Sequence, residues 1–360
     1  MTKKNEKLQA GVVGVGNIGQ GAHLPAYDSI QDTQLVAICD TDEQRLKKIA
    51  REYDIATEHT YSDYQEMYAQ EDLDVVSICT PTWAHCEQTI AALKENIHVL
   101  CEKPPAMKTE EVVKMAETAE ARDLVFAIGF NNRFRLEAQT LKKHINNGLL
   151  GDIYYAKSGW LRRRGNPHGW FTKKELSGGG PLIDCGVHAL DLTWWFMGCP
   201  QPETVTASTY CKFGNYDVEG IGQYWAMSGN KEGVFDTEDL ASAFIKFANG
   251  ATMVFDVSWA LNGKNTGIYS KVHGDKAGAN FSPLEFYGEI DNNIVDFKPQ
   301  LNKDVNAQKE KVVNFVAKIK GEEKLLCPGR QSVALTQIVD AIYESGETGE
   351  MVKIEPLPYE

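Results

Sequence analysis

Gly14-Val15-Gly16-Asn17-Ile18-Gly19 follows a β-branched apolar run and opens a helical segment. Few arrangements satisfy that order of strand, glycine turn and helix. The first glycine permits a tight turn, the second lets backbone approach a pyrophosphate, and the third lets helix and strand pack closely. A pyrophosphate so placed meets free N–H groups and the positive end of a helix. Asp40 ends the second candidate strand 21 residues after Gly19. A carboxylate at that distance accepts hydrogen bonds from adenosine ribose hydroxyls and repels a 2′-phosphate, so NAD is expected in preference to NADP. Arg45, five residues on, reads as a solvated helix charge.

The pattern around this turn predicts an α/β fold. Candidate strands are Ala10–Val15, Leu35–Cys39, Val75–Cys79, His98–Cys101 and Val125–Ile128, with a weaker one at Ala56–Thr60. Helical spacing occupies Asp42–Tyr53, Ala84–Asn96 and Thr109–Arg122 between them. Strands apolar on both faces, alternating with helices, predict a doubly wound parallel Rossmann sheet over residues 1–130. After a helix at Arg135–Asn147 and the turn Gly148–Asp152 the texture changes. Strands are expected at Ile153–Leu161, Thr204–Lys212, Leu240–Phe247, Ala251–Trp259, Leu284–Gly288 and Ile294–Phe297, with one long helix, Pro181–Met197. Residues 131–360 therefore read as an α+β domain with an open-faced, mainly antiparallel sheet. Such a face favours a homodimer or homotetramer. Tail helices at Gln308–Lys320 and Gln331–Ser345 are expected to pack back on the N-terminal domain, and a short strand, Met351–Ile354, follows.

Composition narrows the function. The net charge of −13 gives no basic footprint for nucleic acid. No run reaches the roughly 18 apolar residues of a membrane helix, and the polar start, Met1–Lys7, has no signal-type apolar region. The eight cysteines have no metal-ligand spacing and sit in apolar patterns, which fits a cytoplasmic protein without a structural metal.

Two further motifs carry chemistry. Glu102-Lys103-Pro104-Pro105 lies just past the strand His98–Cys101, at the carboxyl edge where open α/β sheets bind ligands. Proline disfavours helical geometry at the preceding residue, so Lys103 is expected to be extended. The segment Gly178–Asp191 begins with three glycines. At α-helical spacing Asp184, His188 and Asp191 share one face. Gly186 inside that helix costs about 1 kcal/mol relative to alanine unless backbone or a flat ligand passes close by. Removing a hydride from a secondary alcohol needs a base for the hydroxyl proton, which an imidazole supplies, and an ammonium to meet the developing alkoxide or the nicotinamide. Trp170, after Leu161-Arg162-Arg163-Arg164, reads either as a pocket-rim residue covering a sugar ring or the nicotinamide, or as a packed tryptophan in a solvated basic loop. Arg133, in Asn131-Asn132-Arg133-Phe134, is placed as a substrate contact or a structural arginine.

With these motifs the chain resembles the glucose–fructose oxidoreductase / inositol dehydrogenase / rhizopine-catabolism (Gfo/Idh/MocA) family. Thr80-Pro81-Thr82-Trp83-Ala84-His85 is similar to that family's Thr-Pro-Asn-x-x-His segment, with Thr82 in place of asparagine, and Asp340–Val352 is similar to its closing segment. The resemblance implies an NAD(P)-binding domain contacting the cofactor through Gly14, Gly16, Asn17, Ile18, Gly19, Asp40, Thr80, Pro81, His85, Glu102 and Lys103. It implies that Lys103, Asp184 and His188 are catalytic, and that Asp184 and His188, with Arg133 and Trp170, meet a carbohydrate or cyclitol substrate. An NAD-dependent glycosidase using transient oxidation and a non-catalytic dinucleotide sensor are the alternatives.

Overall fold

A computed structural model of the chain describes residues 7–214, 233–301 and 303–356, which divide into two units. The first comprises residues 1–131 and 306–333. Its strands are β1 (Leu8–Val13), β2 (Thr33–Cys39), β3 (Thr60–Tyr61), β4 (Val75–Ile78), β5 (His98–Cys101) and β6 (Phe126–Ile128). They form one sheet in the order β3-β2-β1-β4-β5-β6, every pairing parallel. Helices α1 (Leu24–Ser29), α2 (Glu43–Glu52), α3 (Tyr64–Gln70), α4 (Thr82–Lys94) and α5 (Thr109–Glu120) connect them. Val75, Val76 and Ile78 are wholly buried, as strands covered on both faces require.

The strand expected at Ala56–Thr60 is instead a 3₁₀ turn, Thr57–His59, followed by the two-residue β3. Only Thr60 and Tyr61 find a ladder, pairing with Ile38 and Cys39. Two short helices, α1 and α3, had no clear sequence signal because each spans fewer than eight residues.

The second unit comprises residues 132–305 and 334–360. It contains α6 (Leu136–Asn146), β7 (Ile153–Leu161), α7 (Lys174–Ser177), α8 (Val187–Phe196), β8 (Pro202–Tyr210), β9 (Leu240–Phe247), β10 (Thr252–Ser258), β11 (Gly267–Gly274), β12 (Gly278–Asn280), β13 (Glu285–Ile290) and β14 (Asn293–Phe297). Helix α9 (Ala307–Ile319) returns to the first unit, where Val312, Phe315 and Val316 join the core under β1. Helix α10 (Ser332–Thr348) and β15 (Val352–Lys353) close the chain.

The second sheet has the order β14-β13-β12-β11-β7-β10-β9-β8-β15, antiparallel except for β7 with β10. Helix α8 covers one face. Strands β11 and β12 were absent from the sequence reading. The inward residues of β11 are Ser270 and Val272, so the apolar alternation that signals a strand is broken. Ser270 is tolerated there because the Thr193 hydroxyl of α8 bridges its Oγ and that of Ser158, at 2.8 Å each.

The single helix expected over Pro181–Met197 also differs. It starts as a π turn, Leu182–Gly186, in which the Val187 N–H reaches back to the Leu182 carbonyl, and α8 follows. A Cβ on Gly186 would lie 3.1 Å from the Pro181 carbonyl oxygen and 3.2 and 3.3 Å from the side chains of Phe255 and Val257. The glycine is there for close packing on β10.

Candidate active site

The first unit gathers its motif residues at the carboxyl ends of the parallel strands. Gly14 turns with φ +87°, and a Cβ on it would stand 2.7 Å from the Cys79 carbonyl carbon. A Cβ on Gly19 would be 2.4 Å from the Gly14 carbonyl oxygen, so the helix lies directly on the turn. Gly16 faces open space, with nothing within 4 Å of a Cβ built there. Asn17 and Ile18 are already helical, and a π turn, Gly19–His23, continues into α1. Two glycines closed by backbone and one left open make a cradle that fits a pyrophosphate.

Asp40 is nearly buried and braces this turn. Its Oδ2 accepts from Val15 N–H at 2.9 Å, its Oδ1 from Asp42 N–H at 2.9 Å, and Arg45 Nη1 lies 3.0 Å from both oxygens. Arg45, read from sequence as a solvated charge, is thus paired with Asp40 and with Asp42 at 3.2 Å.

Thr80 and Pro81 stand at the end of β4, where Pro81 starts α4 and the Thr80 hydroxyl donates to Gln88. His85 requires a correction. It is 1% exposed, and its ring nitrogens lie 2.8 Å from the carbonyl oxygens of Pro104 and Thr80. It ties the loops after β4 and β5 together instead of presenting a nitrogen to a cofactor.

Glu102 also departs from the expected cofactor contact. It is buried, its Oε1 bonded to His23 Nε2 at 2.8 Å and to the Lys311 ammonium of α9, while its Oε2 accepts the Lys103 N–H at 3.2 Å. His23 Nδ1 faces Ser77 Oγ at 2.8 Å, and Tyr27 OH lies 2.9 Å from the same oxygen. One neutral imidazole satisfies the chain: Tyr27 donates to Ser77, Ser77 to Nδ1, and Nε2–H to Glu102. Burial alone would push the Glu102 carboxyl up, but Lys311 and then His23 more than offset it and hold it well below the usual carboxylate range. The Lys103–Pro104 peptide is cis.

Burial, and after it the Lys311 ammonium, push the His23 imidazole down to about 4 against the pull of Glu102. The unfolded chain binds a proton at His23 near pH 6.5, whereas the native protein does so only near pH 4. This contribution to stability is therefore present above pH 6.5 and lost as pH falls through that window. The expected loss is roughly 3 kcal/mol. Urea unfolding at pH 7 and 4.5 checks it; a His23→Gln variant that loses as much as the wild type would contradict the assignment.

In the second unit the polar side chains near the start of α8 meet different partners, not the single stripe that unbroken α-helical spacing predicts. The π turn inserts an extra residue into that spacing. Asp184, 5% exposed, accepts from Trp259 Nε1 at 3.0 Å and lies 3.9 Å from Arg162 Nη1. Arg162 in turn covers the Trp160 ring at 4.7 Å. His188 is partly exposed, with Nδ1 3.3 Å from the Asn132 amide nitrogen and its ring 6.0 Å from that of Trp160. Asp191 pairs with Arg133. Arg133 is 2% exposed and donates through Nε to Oδ2 at 2.9 Å and through Nη2 to Oδ1 at 2.5 Å. The substrate-contact reading of Arg133 is thereby corrected: the guanidinium anchors the Asn131–Phe134 turn to α8. Trp170 lies in the 3₁₀ turn Gly169–Thr172, its ring stacked on Phe171.

The glycine triplet has a structural purpose. Glu238, buried, accepts from Gly180 N–H at 2.9 Å, Leu182 N–H at 3.1 Å and Tyr343 OH at 3.0 Å. A Cβ on Gly180 would meet the Glu238 carbonyl oxygen at 2.1 Å, and one on Gly179 the Tyr343 hydroxyl at 1.9 Å. The carboxylate thus caps the turn that presents Asp184.

Sequence reasoning missed His23, Lys311, Trp259, Asn132, Glu238 and Tyr343. Lys311 alone left a trace: it stands four residues before Phe315 on the apolar stripe of a helix, where a charge must find a buried partner. Among the described residues no cluster of metal-binding side chains forms, and no helix is long and apolar enough to cross a membrane.

A parallel dinucleotide-binding sheet with a glycine turn, joined to a second unit carrying a buried carboxylate and a histidine, defines a nicotinamide-dependent oxidoreductase. The chain belongs to the Gfo/Idh/MocA family: residues 8–130 match its NAD-binding Rossmann-fold model and residues 138–280 a model of its C-terminal domain. It is 34% identical over 350 residues to the D-glucoside 3-dehydrogenase of Escherichia coli (strain K12), covering 96% of this chain and 97% of that one. Levoglucosan dehydrogenase of Pseudarthrobacter phenanthrenivorans is 26% identical, over 77% of this chain and 74% of its own. The fold matches that of a levoglucosan dehydrogenase solved with NADH and levoglucosan, with a TM-score of 0.84 at 21% identity, covering 98% of this chain and 100% of that one.

Proposed function

We propose that this protein oxidises a secondary hydroxyl of a sugar, a cyclitol or a sugar derivative, or reduces the corresponding ketone, with NAD preferred to NADP. The observation that carries the reading is the grouping of Asp184, Arg162, Trp160 and His188 in a chain whose first unit holds the glycine turn. The bound nicotinamide supplies the hydride acceptor or donor. His188 takes the hydroxyl proton on its ring, and the Asn132 amide beside Nδ1 fixes the ring's orientation. With the amide nitrogen toward Nδ1 the proton sits on Nε2; turning the amide over, so that its oxygen accepts from Nδ1–H, leaves the Nε2 lone pair as the base. Lys103, as an ammonium, donates to the developing alkoxide or to the nicotinamide end of the cofactor. Asp184, oriented by Trp259 and Arg162, accepts from a neighbouring hydroxyl, and Trp170 covers a sugar ring.

The 34% identity to a D-glucoside 3-dehydrogenase supports glycosides as the first substrates to test. The experiment is NADH absorbance on mixing enzyme and NAD with a panel of sugars, cyclitols and glycosides. Turnover on a subset supports the reading. Release of sugar without net NADH would assign the glycosidase alternative, and NAD binding with no reaction the sensor.

Asp40 carries the coenzyme preference. An Asp40→Ser variant is expected to raise the NADP to NAD ratio of kcat/KM by roughly tenfold or more, since Arg45 then loses its buried partner, keeps the more exposed Asp42, and is more readily drawn to a 2′-phosphate. An unchanged ratio would remove Asp40 from that role. The uncovered face of the second sheet, with Phe244 48% exposed and Lys157 directly opposite Lys271, is proposed as the contact between copies, and sedimentation separates dimer from tetramer.

A further inference from the structure

Lys311 lies 209 residues after Glu102, yet its ammonium sits on the Glu102 carboxylate and both side chains are buried. That one carboxylate also holds His23, four residues past Gly19 of the phosphate turn, and the main-chain N–H of Lys103. Gly129 leaves it room: a Cβ there would be 2.7 Å from Glu102 Oε1. An uncompensated buried carboxylate is costly, so removing the cation forces the site to move or to take up a proton.

We propose that Lys311 is a positioning residue. Acting through Glu102, it holds the Lys103 peptide and the pyrophosphate-binding turn in one arrangement. The inference rests on the role given above to Lys103, and it gives α9 a part in the reaction although no residue of α9 is placed in contact with substrate or cofactor. The titratable and charged groups around the carboxylate are His23, Lys311, His85, Cys79 and Cys101, with Tyr27 reached through Ser77.

The test compares full-length wild type with Lys311→Met and Lys311→Arg. In Lys311→Met, kcat is expected to fall about 10–100-fold with the sugar KM within about threefold, as for a misplacement of roughly 1 Å. The kcat–pH profile should gain an ionisation in the weakly acidic range, as His23 and Glu102 come to share a proton. In the ligand-free protein the His23 ring, followed by NMR, should titrate at higher pH than in the wild type. Lys311→Arg should restore most of kcat. A Lys311→Met protein that folds with wild-type kcat and pH profile would overturn the proposal. So would a loss of thermal stability with kcat per folded molecule and the His23 titration unchanged. A wild type inactive on every alcohol would instead overturn the functional reading, and the His23 titration would then decide for or against Lys311.

Discussion

A His188→Ala variant is expected to lose about 10²–10⁴-fold in kcat/KM for its alcohol, the range a positioned acid–base group contributes. NAD affinity should stay within about threefold, since His188 belongs to the second unit and the glycine turn to the first. The fold should survive, because the ring is partly exposed. A base removed from the reaction also leaves a kinetic trace: the residual rate should rise steadily with pH as hydroxide replaces the imidazole, and added imidazole should restore part of it. Stopped-flow NADH absorbance across pH 6–10 (~4 units, spanning the ordinary imidazole range) measures both. Turnover within about fivefold of wild type would remove His188 from proton transfer, and Asp184 would be the next base to test.

The second large effect falls on stability. Arg133→Met should destabilise the second unit by about 3–5 kcal/mol, the cost of breaking a buried ion pair from one side. The Asp191 carboxylate, 1% exposed, would be left without the guanidinium that meets both its oxygens. Burial already pushes that carboxyl up, with Arg133 opposing, so the lone acid should become protonated in the variant. Loss of the cation also removes one of two that lie over the Trp195 ring, Arg133 at 5.5 Å and Lys142 at 5.2 Å. Adding Asp191→Asn to Arg133→Met should recover part of the loss, because the two positions form one pair. Chemical denaturation followed by tryptophan fluorescence measures each member of the cycle. A loss below about 1 kcal/mol would mean that water reaches Asp191 and that the pair is less enclosed than its geometry indicates. Since Asn132 precedes Arg133 and stands beside His188, the variant should also lower kcat in its folded fraction.

Much of this protein follows from local pattern. Short apolar strands, helical spacing between them and the run Gly14–Gly19 call for a parallel sheet with a phosphate cradle, because glycine geometry and strand burial are properties of neighbouring residues. Asp40, Lys103, Asp184 and His188 can be singled out as candidates for the same reason: each sits at a set distance from a strand end or helix start. The partners of these groups were not legible. Lys311 on Glu102, Trp259 on Asp184, Glu238 under the glycine triplet and Arg133 on Asp191 join residues 58 to 209 positions apart. Such pairs depend on where chain segments meet after burial, and no local periodicity encodes that. The π turn at Leu182–Gly186 belongs with them, since it accompanies the packing of Gly186 on Phe255 and Val257. The amino-acid order alone determined the kind of sheet, the dinucleotide turn and the chemical groups available. Tertiary structure decided which buried charges are compensated and which therefore remain to act on a ligand, because a charge removed from water takes whatever partner the fold brings within reach.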